Sequence, residues 1–180
     1  HSGSMLTIKD SATIENATGG SGRSGGNGIF GTAMKILAST IGTAKGGEGK
    51  TSGGHGIYGV SPLIISEKAH IDNATGGNAT GIDGTGGNGI FSDGKLTIEN
   101  STITNATGGD ADNGTGGSGI RGDGSSDDFK LSIDSGTIKN ATGGNGKRGG
   151  SGIVGKTMKI ISSTIQKAIG GRATGEGDYT

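Results

Sequence analysis

The chain has 180 residues, of which 44 are glycine, one is proline and none is cysteine or tryptophan, and only 27% are hydrophobic. Its sixteen basic and sixteen acidic side chains cancel, which leaves no basic footprint for nucleic acid and no polybasic patch for a membrane surface. No apolar run is long enough for direct insertion into a membrane, no signal peptide is present, and the lack of cysteine excludes disulfides and thiolate metal sites.

In chain order, His1-Ser2-Gly3-Ser4 has the look of an expression-tag scar, which places natural sequence from about Met5. Residues 5–180 then read as one repeat domain excised from a longer repeat protein. An apolar-x-apolar pair, a second isoleucine, an alanine and a Gly-Gly pair recur six times. The second isoleucines are Ile14, Ile41, Ile71, Ile103, Ile138 and Ile165, and the glycine pairs follow at intervals of 27, 30, 32, 35 and 27 residues. A second phrase, G-G-x-G-I, ends at Ile29, Ile57, Ile90, Ile120 and Ile153. Such a period means one supersecondary unit stacked on copies of itself.

Within the fourth unit the strand-like pieces are Leu96-Thr97-Ile98, Ser101-Thr102-Ile103-Thr104 and Gly119-Ile120-Arg121. Apolar and polar residues alternate, β-branched residues dominate, and Gly, Asn, Asp and Ser fill the turns. Strands this short bury a face only when equivalent strands stack. The expectation is an all-β, right-handed parallel β-helix of about six coils of 27–35 residues, roughly 29 Å long at ~4.8 Å per coil. From the first glycine pair to the second the spacing is 6, 7, 10, 8 and 6 residues, which predicts glycine-rich loops of variable length on one edge. The recurrent alanine should face inward, and the glycines should supply positive φ where side chains would clash. The asparagines of the Asn-Ala-Thr-Gly-Gly phrase should stack and bond backbone groups.

Candidate binding residues follow the G-I dipeptide: Phe30, Tyr58 and Phe91 in three consecutive coils, then Arg121 and Val154. With isoleucine inward, the aromatics form an outward stripe at coil spacing, suited to a sugar ring or an apolar partner. A stack covered by the variable loops is the plainer alternative. For metal, Glu99 and Asp134 hold equivalent positions in adjacent coils, and Asp123, Asp127 and Asp128 occupy the longest insertion between them. Carboxylates so placed would take calcium, or serve as a glycosidase pair, or simply be solvated loop acids. No other cofactor and no catalytic residue is assigned. His55 and His70 fall in different parts of their coils, without a nucleophile beside them.

Leu96 to Gly109 (Leu-Thr-Ile-x-Asn-Ser-Thr-Ile-x-Asn-Ala-Thr-Gly-Gly) and Gly86 to Phe91 (Gly-Gly-Asn-Gly-Ile-Phe) resemble bacterial surface β-helix repeats, similar to those of autotransporter passenger domains and wall- or membrane-attached adhesins. The resemblance implies an extracellular or bacterial cell-surface location. It also implies adhesion to a host or environmental surface glycan or protein, or self-association, by a non-enzymatic rigid segment. The alternative is a polysaccharide-active enzyme, or a phage-tailspike-like β-helix, with an acidic site near Glu99 and Asp134.

Overall fold

A computed structural model describes residues 5–123 and 130–175. The expected stacking is present. Among the described residues there is no helix, and parallel strands wind into a β-solenoid of about five turns. The first sheet stacks Met5–Ile8, Ala33–Leu37, Leu63–Ser66, Leu96–Glu99, Leu131–Asp134 and Met158–Ile161. The second stacks Thr13–Thr18, Thr40–Lys45, His70–Thr75, Thr102–Thr107 and Thr137–Thr142, and ends on Thr164–Ile165 and Ala168–Ile169. Ile29–Gly31, Ile57–Gly59, Ile90–Ser92, Ile120–Gly122 and Ile153–Gly155 form the fourth, in the same strict register.

The third sheet departs from the expectation of loops on one edge. Gly22–Ser24, Gly49–Ser52, Ala79–Thr85 and Ala111–Thr115 pair in parallel, and register shifts at Gly22/Ser24, Ala79/Ile82 and Ile82/Thr85 absorb their unequal lengths. A bulge adds a residue without abandoning the ladder. The longest of these strands thereby pushes Ile82 into solvent at 84% exposure.

The interior has an aliphatic half and a glycine half. Each inner coil contributes a few aliphatic side chains, as Leu96, Ile98, Ile103, Ala106 and Ile120 do in the fourth, and these stack on their copies above and below. A fully buried isoleucine contributes about 1.5–3 kcal/mol. This half is lined by the first, second and fourth sheets, and the recurrent alanines Ala44, Ala74, Ala106 and Ala141 face into it as expected.

Glycine pairs fill the other half, for a reason different from the one the sequence suggests. None of the described glycines has positive φ. Left-handed backbone occurs instead where the first sheet turns into the second, at Ala38, Asn100, Ser135 and Ser162 and as the pairs Asp10-Ser11 and Glu67-Lys68, and at Asp83 in the third sheet. The glycines are needed for close approach: a Cβ at Gly54, Gly77, Gly87 or Gly117 would lie against a carbonyl oxygen of the coil below at a distance no real Cβ adopts. The two glycine columns are joined by one continuous zigzag of backbone hydrogen bonds. It runs from Gly171 N–H to Gly150, on through Gly144, Gly117, Gly109, Gly87, Gly77, Gly54, Gly47 and Gly26, and ends on the Gly20 carbonyl, with every bond 2.8–2.9 Å. Up to Gly143, the first glycine of each pair donates the other way, to the coil above, as Gly76 does to Thr107 O and Gly53 to Thr85 O. Peptide groups therefore satisfy one another in a space too thin for side chains.

Candidate functional site

Strict register on the fourth sheet decides the stripe. Phe30 pairs with Tyr58, Tyr58 with Phe91, Phe91 with Arg121, and Arg121 with Val154. Ile29, Ile57, Ile90 and Ile120 are buried, so the residue after each points outward. Phe30 is 53% exposed, and Tyr58, Phe91 and Arg121 are half-buried. The Phe30 and Tyr58 rings lie 5.4 Å apart and tilted, Tyr58 and Phe91 stack at 5.3 Å and 11°, and the Arg121 guanidinium sits 5.8 Å from the Phe91 centroid. These are favourable aromatic and cation–π geometries.

Two carboxylates fix the polar ends of this stripe. Asp123 receives Nη2 of Arg121 at 2.6 Å and Nε at 2.8 Å, which holds the guanidinium over Phe91. The Tyr58 hydroxyl donates to Asp93. Burial and that neighbouring carboxylate push the phenol up to about 12, so it remains a neutral donor.

Beside the stripe runs a groove. One section, of about 330 Å³, passes over Gly53, Gly54, Gly86 and Gly117, and a second, of about 260 Å³, continues to Gly155 and Lys156. The sections share Thr115, Gly116 and Arg121. Its floor is the glycine layer, and Tyr58 and Arg121 of the stripe, with His55, stand on one wall. The other wall is a column of hydroxyls, Ser52, Thr85 and Thr115, in register on the third sheet. Because the columns repeat at coil spacing, the groove is periodic along the solenoid axis.

A second column stands at the variable position of G-G-x-G-I. His55 N–H donates to Asn27 Oδ1 at 2.8 Å, Asn88 N–H to His55 Nδ1 at 2.8 Å, and Ser118 N–H to Asn88 Oδ1 at 2.7 Å. Each side chain thus accepts from the backbone of the next coil. His55 can occupy the position only as the neutral tautomer with its proton on Nε2. Its ring packs 4.7 Å from Phe91 and 5.1 Å from Tyr58. Burial lowers its pKa to about 4, Arg121 acting in the same direction and Asp93 against it, so the acceptor nitrogen stays unprotonated near neutrality. A matching ladder follows the first glycine pair: Asn78 Oδ1 accepts from Asp110 N, Asp110 Oδ1 from Asn145 N, and Asn145 Oδ1 from Arg172 N.

Three of the five acidic candidates, Glu99, Asp123 and Asp134, lie among the described residues. Glu99 and Asp134 are register partners at the far end of the first sheet, and Asp134 accepts from Ser135 Oγ at 3.0 Å. Asp123 is engaged with Arg121. Asp127 and Asp128 fall outside the described residues. Among the described residues no group of three or more His, Asp or Glu side chains is arranged to hold a metal ion. On the second sheet His70 Nε2 meets Asp72 at 2.7 Å and Thr104 Oγ1 at 3.4 Å. Both partners use the same ring nitrogen, which cannot relay a proton between them. The stacked asparagines bond mainly to each other, Asn140 Nδ2 to Asn105 Oδ1 and Asn105 Nδ2 to Asn73 Oδ1, and only Asn73 reaches a backbone carbonyl, that of Gly42.

Comparison with known proteins finds no matching family, no similar curated protein and no similar solved structure. No helix among the described residues is long and apolar enough to cross a membrane.

Sequence reasoning located Phe30, Tyr58, Phe91 and Arg121 and missed the hydroxyl and acceptor columns that complete the groove. The signal was present. The residue before the second glycine pair is Ser24, Ser52, Thr85 or Thr115 in the first four units and Arg148 in the fifth, and the residue after it is Asn27, His55, Asn88, Ser118 or Ser151. A short polar side chain at most copies of a position marks a ladder.

Proposed function

We propose that this chain is a non-enzymatic, surface-displayed or secreted adhesive segment, a rigid solenoid that presents its Phe30–Tyr58–Phe91–Arg121 stripe to a glycan or protein on another surface. The observation that carries this reading is the outward register of three of the chain's five aromatic residues, closed by an Arg held in place by Asp123. Aromatic rings ordered by stacking on one another are suited to binding along their exposed edges, because little side-chain entropy remains to be lost. An extracellular, bacterial cell-surface setting is part of the proposal and agrees with the cysteine-free, charge-balanced composition.

The test is adhesion of beads coated with the chain to glycan- and protein-coated surfaces, comparing wild type with Phe30→Ala/Tyr58→Ala/Phe91→Ala. The expected result is loss of adhesion with an unchanged circular dichroism spectrum. Equal adhesion by the triple variant would remove the stripe as the contact face. The enzymatic alternative draws on the Glu99–Asp134 register, and a reducing-end or unsaturated-product assay separates it. Polysaccharide turnover abolished by Glu99→Gln or Asp134→Asn would replace the adhesive reading.

A further inference from the structure

We infer that the section of the groove over Gly54 and Gly117 is a subsite for a carboxylate-bearing sugar, held by hydrogen-bond donors and cations rather than by the aromatic faces. This rests on the adhesive reading and specifies its ligand.

The polarity of the acceptor ladder decides what this section offers. Asn27 Oδ1, His55 Nδ1 and Asn88 Oδ1 each accept a backbone N–H from the next coil. The atoms left for a ligand are therefore donors, Nδ2 of Asn27 and the Nε2–H of His55. Neither has a partner among the described residues, where no buried side-chain nitrogen lacks one, so both open to solvent. Arg121 also lines the section and keeps Nη1, because its Nε and Nη2 go to Asp123. Fixed acceptors are scarce. No carboxylate lines the section, and Thr115 Oγ1 already takes Arg148 Nε at 3.2 Å. The Ser52 and Thr85 hydroxyls serve in either sense. A ligand that fits must bring lone pairs.

Charge points the same way. Among the described residues, Arg121, Arg148 and Lys156 border the groove against Asp93 and Asp123. Both carboxylates are engaged, by Tyr58 and Arg121, and positive charge is in excess. A carboxylate supplies negative charge and about four lone-pair positions for charge-assisted hydrogen bonds. The rest of the section favours a sugar over an acidic peptide. Gly25, Gly53, Gly86 and Gly116 donate to Ser52, Thr85, Thr115 and Arg148 of the next coil at 2.8–2.9 Å, so the floor has no free strand edge for a peptide to extend. About 330 Å³ is the small end of ligand sites and suits about one or two sugar rings, whose hydroxyls would meet Ser52 and Thr85. Phe91 acts by position: it packs 4.7 Å from the His55 ring and 5.8 Å from the Arg121 guanidinium, and so aims both donors.

The probes are glucuronate, galacturonate, digalacturonate and N-acetylneuraminate, their carboxyl methyl esters, and tetraglutamate, titrated calorimetrically against the whole chain. At least one acidic sugar is expected to bind, its methyl ester about tenfold or more weaker, and raising salt from about 50 to about 500 mM should weaken it about threefold or more. Asn27→Asp keeps Oδ1 for the His55 N–H but replaces the Nδ2 donor with a charged oxygen. It should weaken binding about tenfold or more, as should Arg121→Gln. Asn78→Asp makes the same change in the matching ladder outside the groove and should leave affinity within about twofold. No binding of any acidic sugar by folded protein, equal binding of the esters, wild-type affinity in Asn27→Asp, or binding of tetraglutamate alone overturns the inference. If the acidic sugars fail while bead adhesion still depends on Tyr58 and Phe91, the ligand assignment falls and the adhesive reading stands. If adhesion is also indifferent to the stripe, both fall.

Discussion

Gly77→Ala tests the glycine layer directly. The new methyl would overlap the Gly47 carbonyl, so adjacent coils must part by on the order of 1 Å. Gly77 is held by two bonds that such a shift breaks, its N–H to Gly54 O and its carbonyl from Gly87 N–H, both 2.8 Å. At about 1 kcal/mol for each lost bond and 1–3 kcal/mol for overpacking, the cost is about 3–5 kcal/mol. For a domain of this size that lowers the melting temperature by roughly 10 °C. The matched control is Gly20→Ala. Gly20 holds the same position in the repeat, but as the first coil it has nothing within 4 Å of the added Cβ, so its variant should melt within about 2 °C of wild type. Thermal unfolding followed by far-ultraviolet circular dichroism measures both. Equal melting of Gly77→Ala and wild type, or equal losses in the two variants, would refute close approach as the reason for these glycines.

Two further outcomes follow from the backbone and the buried histidine. His55 titrates near 4 in the fold, below its ordinary 6.5, so the unfolded chain binds more protons between those values. Stability is therefore full above pH about 6.5 and falls as pH drops toward 4, by about 3 kcal/mol. Denaturant titrations across that range should show this loss, and His55→Asn, which keeps an acceptor for Asn88 N–H, should reduce it; an unaltered pH profile in that variant would reject the assignment. Ala38 holds φ 45° at the turn from the first sheet to the second, a conformation that costs an L-residue about 1–2 kcal/mol. Ala38→Gly should leave stability unchanged or raise it by up to about 1 kcal/mol, whereas a loss above that amount in the denaturation midpoint would contradict the strain.

What the sequence determined by itself is the coil: the isoleucine, alanine and glycine periods predict parallel stacking, the inward face and the outward stripe, because side-chain alternation and identical spacing leave one way to bury strands this short. The purpose of the glycines was decided only in three dimensions. A Gly-Gly pair reads the same whether it serves positive φ or close approach, and here the backbone of a neighbouring coil, some thirty residues away in sequence, occupies the space. The third sheet was hidden for a related reason: unequal lengths look like loops until bulges are seen to keep the strands paired. Of the acidic candidates, Asp123 is engaged by Arg121, while Glu99 and Asp134 are register partners at the end of the first sheet. The groove itself is a relation among three columns, hydroxyl, acceptor and aromatic. Each is legible in the G-G-x-G-I phrase, and they become walls and floor only when the coil closes around the glycine layer.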